Sequence, residues 1–103
     1  MPNNPAAGAE YVIEKVGSSF TRTLYIKPDA TWFEFLHELM HGVSNAAYGD
    51  AMFFRDTRTS GGIEYYEQVG FNLLRRYFWR FLSSEEQDYG AKVLKQTYGG
   101  NPW

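Results

Sequence analysis

Two runs rich in β-branched and aromatic residues come first, Glu10 to Val16 and Phe20 to Lys27, with Gly17-Ser18-Ser19 between them. That pattern predicts a β-hairpin. Ahead of it, Met1 to Ala9 is rich in Pro, Asn, Gly and Ala and predicts a flexible tail. Pro28 breaks the second run, and the period then changes. Thr31 with Glu34 forms a T-x-x-E capping box. Trp32, Leu36, Leu39, Val43, Ala46 and Ala47 fall within one arc of a helical wheel, which predicts a helix with that side on the core and Gly49 as its stop. A polar loop over 49–62 follows, with Met52, Phe53 and Phe54 tucked inward. A second helix is predicted over Ile63 to Leu82, with Ile63, Tyr66, Gly70, Leu73, Leu74, Tyr77, Phe78 and Phe81 on its apolar face. A third starts at Ser83 or Ser84, again with a box (Ser83, Glu86). It buries Ala91, Leu94 and Tyr98, and ends at Gly99-Gly100 and Pro102. The expected class is α+β: a short β-sheet, the hairpin, followed by three helices in a single domain over 1–103.

The chain has two histidines, and both lie in His37-Glu38-Leu39-Met40-His41. This is the H-E-x-x-H pattern, which on a helix brings two imidazoles to one metal ion because positions four apart share a face. The pair lies opposite the apolar arc. Glu38 sits about 100° round the helix from His37, where its carboxylate can act on water polarised by the metal without being a ligand. Two bland alternatives compete: a core histidine pair satisfied by hydrogen bonds, disfavoured because the pair lies off the apolar arc, and two ordinary surface histidines, the better of the two. The chain has no cysteine, so any metal must be held by His, Asp, Glu or water.

A catalytic zinc commonly has three protein ligands, and with no third histidine a carboxylate must serve. Glu64 and Glu67 are the helix-borne candidates; Asp50 and Asp56 sit on the expected loop. Burial favours Glu67, which lies near the middle of the apolar arc with Gly70 one turn on, letting the helix approach closely. The need to orient a metal-bound imidazole favours Glu64, with Gln68 one turn further as the orienting group. Spacing leaves both open.

Charge narrows the partners. A net charge of −2 and a pI near 5.6 argue against nucleic acid. Arg75, Arg76 and Arg80, though interleaved with aromatics, fit a solvated helix face. Met1 to Glu10 lacks the apolar core of a signal peptide, and no run approaches membrane-spanning length. No membrane partner is expected.

H-E-L-M-H followed by a helix-borne glutamate resembles the gluzincin branch of the zinc metallopeptidases. Glu64-Tyr65-Tyr66-Glu67-Gln68 is similar to the E-Y-x-A-D type segment that supplies the third ligand in some members. Glu64 to Gly70 resembles the E-x-x-x-T-[VF]-G segment of clostridial neurotoxin light chains and related secreted effector peptidases. Both likenesses imply Glu64 as third ligand. The chain departs from them where Glu67 replaces a small residue and Gln68 replaces Asp or Thr, which keeps Glu67 as the alternative; the expected ligand set is His37, His41 and Glu64. The small size and the strand pair before the motif look like the zincin-type peptidase domains of bacterial polymorphic toxins. The resemblance implies a minimal zincin-like fold, Zn²⁺ as cofactor, and Glu38 as general base. It also implies a protein or peptide substrate, a cognate inhibitor or immunity protein, and secretion or delivery as part of a larger protein. The rival expectation is a zincin-shaped interaction module that binds metal weakly or not at all.

Overall fold

The computed structural model describes residues 8–98. Strands β1 (Ala9–Val16) and β2 (Ser19–Ile26) pair antiparallel in register from Ala9↔Ile26 to Val16↔Ser19, leaving Gly17-Ser18 as a two-residue loop. Four helices follow, α1 (Trp32–Tyr48), α2 (Asp50–Asp56), α3 (Ser60–Tyr77) and α4 (Ser84–Tyr98), with a single 3₁₀ turn at Trp79–Phe81 before the last. The class is α+β, as expected, with one helix more. Of the expected tail, residues 1–7 lie outside the described residues, as do Gly99, Gly100, Pro102 and the Tyr98 side chain. Gly8 and Ala9 do not belong to a tail. Ala9 begins β1 and is buried, and the Gly8 amide donates to Glu34 Oε2 at 3.1 Å.

The start of α1 is capped from two directions. The capping box forms as read: Thr31 accepts from the Glu34 amide, and Glu34 Oε1 accepts from the Thr31 amide, each at 3.0 Å. The Trp32 and Phe33 amides donate to the Glu86 carboxylate of α4, at 3.0 and 3.3 Å. Helix first-turn amides have no intrahelical acceptor, so a carboxylate there is favourable both as acceptor and against the helix dipole. Glu86 therefore closes only half of its own expected box, its amide donating to Ser83 Oγ at 3.2 Å. Glu86→Ala should lower stability by about 1 kcal/mol, read as a shift in denaturation midpoint, whereas Ala at the exposed neighbour Glu85 should shift it little.

The expected inner face of α1 is corrected. Trp32, Leu39 and Val43 are 64%, 36% and 48% exposed, Ala46 and Ala47 are exposed too, and only Leu36 tucks partly against the core. Facing inward are Phe33, His37, Met40, His41, Ser44 and Asn45. The wheel argument sent the histidines to solvent because they are polar. Burial is open to polar groups that find partners, and these find them: Glu67 for both imidazoles, the Met40 carbonyl for Ser44, and Tyr11 and Asp50 for Asn45.

The stretch expected as loop contains α2. Gly49, at φ +92°, ends α1 and starts α2. A backbone turn of that sign costs glycine little, and it lets the chain leave one helix and enter the next with no loop between. Phe53 is buried as expected, whereas Met52 is exposed. α3 starts three residues earlier than read, where Thr59 accepts from the Gly62 amide, and ends at Tyr77. Ile63, Tyr77 and Phe81 are exposed instead of buried, and so is Ala91 on α4.

The core has two clusters. Phe33, Met40, Phe71, Leu74, Leu82 and Leu94 form the larger, and Ile13, Phe53 and Tyr66 the smaller. Along α3, Glu67 and Gly70 lie between Tyr66 of one cluster and Phe71 of the other, facing α1.

Candidate metal centre

Helix α1 presents His37 and His41 one turn apart, their rings at 78° to each other and 4.6 Å between centroids. Phe71 stacks on His37 at 3.8 Å. α3 can come this close because Gly70 has no side chain: a Cβ there would lie 3.2–3.3 Å from His37 Cε1 and Nδ1 and His41 Cε1. One turn earlier on the same helix, Glu67 reaches both rings. Its carboxylate oxygens lie 2.8 Å from His41 Nε2 and 3.2 Å from His37 Nε2, and the two Nε2 atoms are 3.2 Å apart.

Glu38 completes the cluster without joining the close contacts. Its Oε2 is 3.6 and 3.7 Å from the two Nε2 atoms, and its Oε1 accepts the Tyr11 amide of β1 at 2.7 Å. That amide points away from β2, on the outer edge of the hairpin. The same strand is tied to α1 again through the Tyr11 hydroxyl, which donates to Asn45 Oδ1 at 2.7 Å. Asn45 Nδ2 then donates to Asp50, which pairs with Arg22.

The donor set fits a metal ion on distance. Ligand atoms about 2.05 Å from a tetrahedral zinc are about 3.3 Å from one another, close to the 3.2 Å separating His37 Nε2 from His41 Nε2 and from Glu67. One atom from each of His37, Glu38, His41 and Glu67 falls within 4.8 Å of the others. Both Nδ1 atoms are buried with no hydrogen-bond partner among the described residues, so the polar chemistry of both rings converges on Nε2. Metal-binding imidazoles usually give that second nitrogen to an acceptor. Here packing by Phe71 and the close approach at Gly70 hold the rings instead.

Charge states follow from this crowding. Burial alone would raise the Glu67 carboxyl, but the hydrogen bonds from His37 and His41 outweigh it and hold it far below the usual carboxylate range. The Glu67 side chain is 41% exposed, so solvent screens part of that attraction. Burial lowers His41, yet Glu67 and Glu38 beside it leave it raised on balance. Glu38 goes the other way: burial lifts it above the ordinary value, against the pull of His41, His37 and the Tyr11 amide.

Compared with family models, curated proteins and solved structures, the chain matches none. The site therefore rests on its own geometry.

The expected choice of Glu64 is corrected: the structure brings Glu67, the alternative, to the histidines and leaves Glu64 exposed, with Gln68 exposed as well. A helix residue three positions away is rotated by about 60°, enough to carry Glu64 off the face that packs on α1. Asp50 and Asp56 are engaged elsewhere, Asp50 with Asn45 and Arg22, Asp56 with Arg55 and the Tyr66 hydroxyl. Beside the cluster opens a cleft of about 690 Å³, bounded by residues 10–14 of β1, Glu38, His41, Phe53, Thr57, Arg58, Ile63, Tyr66 and Glu67. Tyr66 is pushed up to about 12, by burial first and then by the Asp56 charge, and stays a neutral hydrogen-bond donor. Of the other tyrosines, Tyr48 pairs with the Tyr65 hydroxyl and Tyr77 is exposed. Two contributors lacked any sequence signal: Tyr11, whose amide fixes Glu38, and Arg58, which donates to the Ile13 carbonyl at 2.8 Å and stacks on Phe54. No helix among the described residues is long and apolar enough to cross a membrane.

Proposed function

We propose that the chain is a zinc-dependent metallopeptidase, with His37, His41 and Glu67 holding the ion and Glu38 as general base. One observation carries this reading: two Nε2 atoms and a carboxylate converge at 2.8–3.2 Å from one another, two of the three spacings close to a tetrahedral edge, with a second carboxylate just outside them at the wall of a cleft. Bound zinc supplies a Lewis acid that acidifies water and polarises a carbonyl. Glu38 takes the water's proton at Oε2 and passes it to the leaving amine. Its Oε1 is held by the Tyr11 amide, so the acting oxygen keeps a fixed direction. The raised affinity of Glu38 for a proton suits both halves of that transfer.

An extended peptide fits the cleft as substrate. On the outer edge of β1 the Tyr11 amide and the Ile13 carbonyl are taken by Glu38 and Arg58, but the same edge carries the Tyr11 carbonyl and the Ile13 amide, a pair of groups that strand addition uses. Likeness of motif and size to zincin-type toxin domains supports a role as a toxin or effector peptidase of zincin-like fold, met in its producer by an inhibitor or immunity protein. The two Nδ1 atoms without acceptors favour the rival, an interaction module with weak metal affinity.

Zinc titration followed by incubation with a mixed fluorogenic peptide library separates the two. The peptidase should take up about one zinc per chain, as one three-ligand site requires, and cleave peptides, losing cleavage to a chelator and regaining it on zinc addition. Uptake without cleavage would favour the module. A chain that takes up no zinc would sink the metallopeptidase.

A further inference from the structure

The outward side of α1 has no task in the metal centre. Over its whole length α1 carries two carboxylates, and both are used inward or at the cap, Glu34 on Thr31 and Gly8 and Glu38 on Tyr11. The outer face is left without charge. Trp32, Leu36, Leu39, Val43 and Ala46 line it, at successive spacings of four, three, four and three, the alternation of a coiled-coil seam. Apolar ground extends on both flanks. On one, Ile26 (53% exposed), Pro28, Ala30 and Phe35 border a hollow of about 440 Å³ with Lys27 at its side; on the other, Phe78, Phe81 (71% exposed) and Leu82 border one of about 510 Å³ with Glu86 at its side. Trp32 stands between them and lines both.

The seam is also self-complementary. It tapers from Trp32 at the helix start to Ala46 and Ala47 near its end. Turned antiparallel against itself about Leu39, it sets Trp32 against Ala46 and Leu36 against Val43, large against small, with Leu39 meeting its own copy. That is the property an isologous two-fold interface requires, since one patch must fit itself. Trp32 and Phe81 alone offer roughly 300 Å² at their observed exposures. With Ile26, Phe35, Leu39 and Val43 the patch comes to roughly 600 Å², so two copies would bury about 1,200 Å² in all, the lower end of specific interfaces. That is the upper end of the roughly 300–600 Å² that the largest apolar patch of a monomer covers.

We propose that this face binds a second copy of the chain, two α1 helices crossing antiparallel on a two-fold axis at Leu39, with the metal centres on the outer sides of the pair. The pairing is independent of metal and of hydrolysis.

Sedimentation equilibrium of the whole chain, from low micromolar to about 100 µM, should give twice the 11.9 kDa chain mass. Leu39→Lys, which puts two cations on the axis, should weaken the dimer at least about 100-fold while keeping the helical circular dichroism. The chain has no cysteine, so Leu39→Cys should cross-link to a dimer on mild oxidation. Trp32→Cys alone should not, but the double variant Trp32→Cys/Ala46→Cys should. A chain that stays monomeric throughout overturns the proposal and leaves the face to a partner of different sequence. A dimer that Leu39→Lys leaves intact, or that Leu39→Cys fails to cross-link, overturns it as well.

Discussion

Glu38→Gln should bind zinc as the unaltered chain does and lose peptide hydrolysis by about 10²–10⁴ in kcat, the range a general base supplies. The substitution keeps the side chain's size and one carbonyl oxygen, so the Tyr11 amide retains its acceptor and β1 stays docked on α1. It removes only the basic oxygen that lies 3.6–3.7 Å from the two imidazoles. KM should change little, because the residue acts on water and not on the bound peptide. Zinc lost along with activity would make Glu38 a ligand. Activity retained within a few-fold would move the base elsewhere.

The second large effect is a contrast between two neighbours on α3. Glu67→Ala takes away the carboxylate that touches both Nε2 atoms, and zinc should dissociate more readily by well over the 10–100-fold typical of losing a mere orienting group. Glu64→Ala, at an exposed position, should hold zinc as before and shift stability by no more than about 0.5 kcal/mol. Zinc titration of both variants, each checked by circular dichroism, reads the difference. Tight binding by folded Glu67→Ala with weak binding by Glu64→Ala would reverse the assignment.

That contrast shows where the sequence was legible and where it was not. The hairpin, the Thr31/Glu34 cap and the helix bearing the two histidines were readable because each is fixed by residues a few positions apart. The choice between the two glutamates turned on which physical rule governed. Burial pointed to Glu67, in the middle of the packed face with Gly70 one turn on, and the structure brings that residue to the imidazoles. The search for an orienting group pointed to Glu64 with Gln68, yet both face solvent. The wheel of α1 misled for a related reason. It weighed apolar residues alone, and the inward face is mostly polar because its partners come from β1, α2 and α3. α2 escaped notice because its only start signal is a backbone turn at Gly49, with no capping side chain. The link from the Tyr11 amide to Glu38 joins residues on separate elements and leaves no mark in local pattern.

The Glu86 carboxylate bears on the order in which the protein is made. On the ribosome α1 emerges well before α4, so its first two amides wait for an acceptor that has not yet been synthesised. Leu82 and Leu94, which close the larger cluster around Phe33, arrive equally late. A nascent chain ending after α3 holds both histidines and both helical glutamates but neither the clasp on the histidine helix nor the floor beneath it. The packing around the helix that carries His37 and His41 is therefore complete only once α4 has been made.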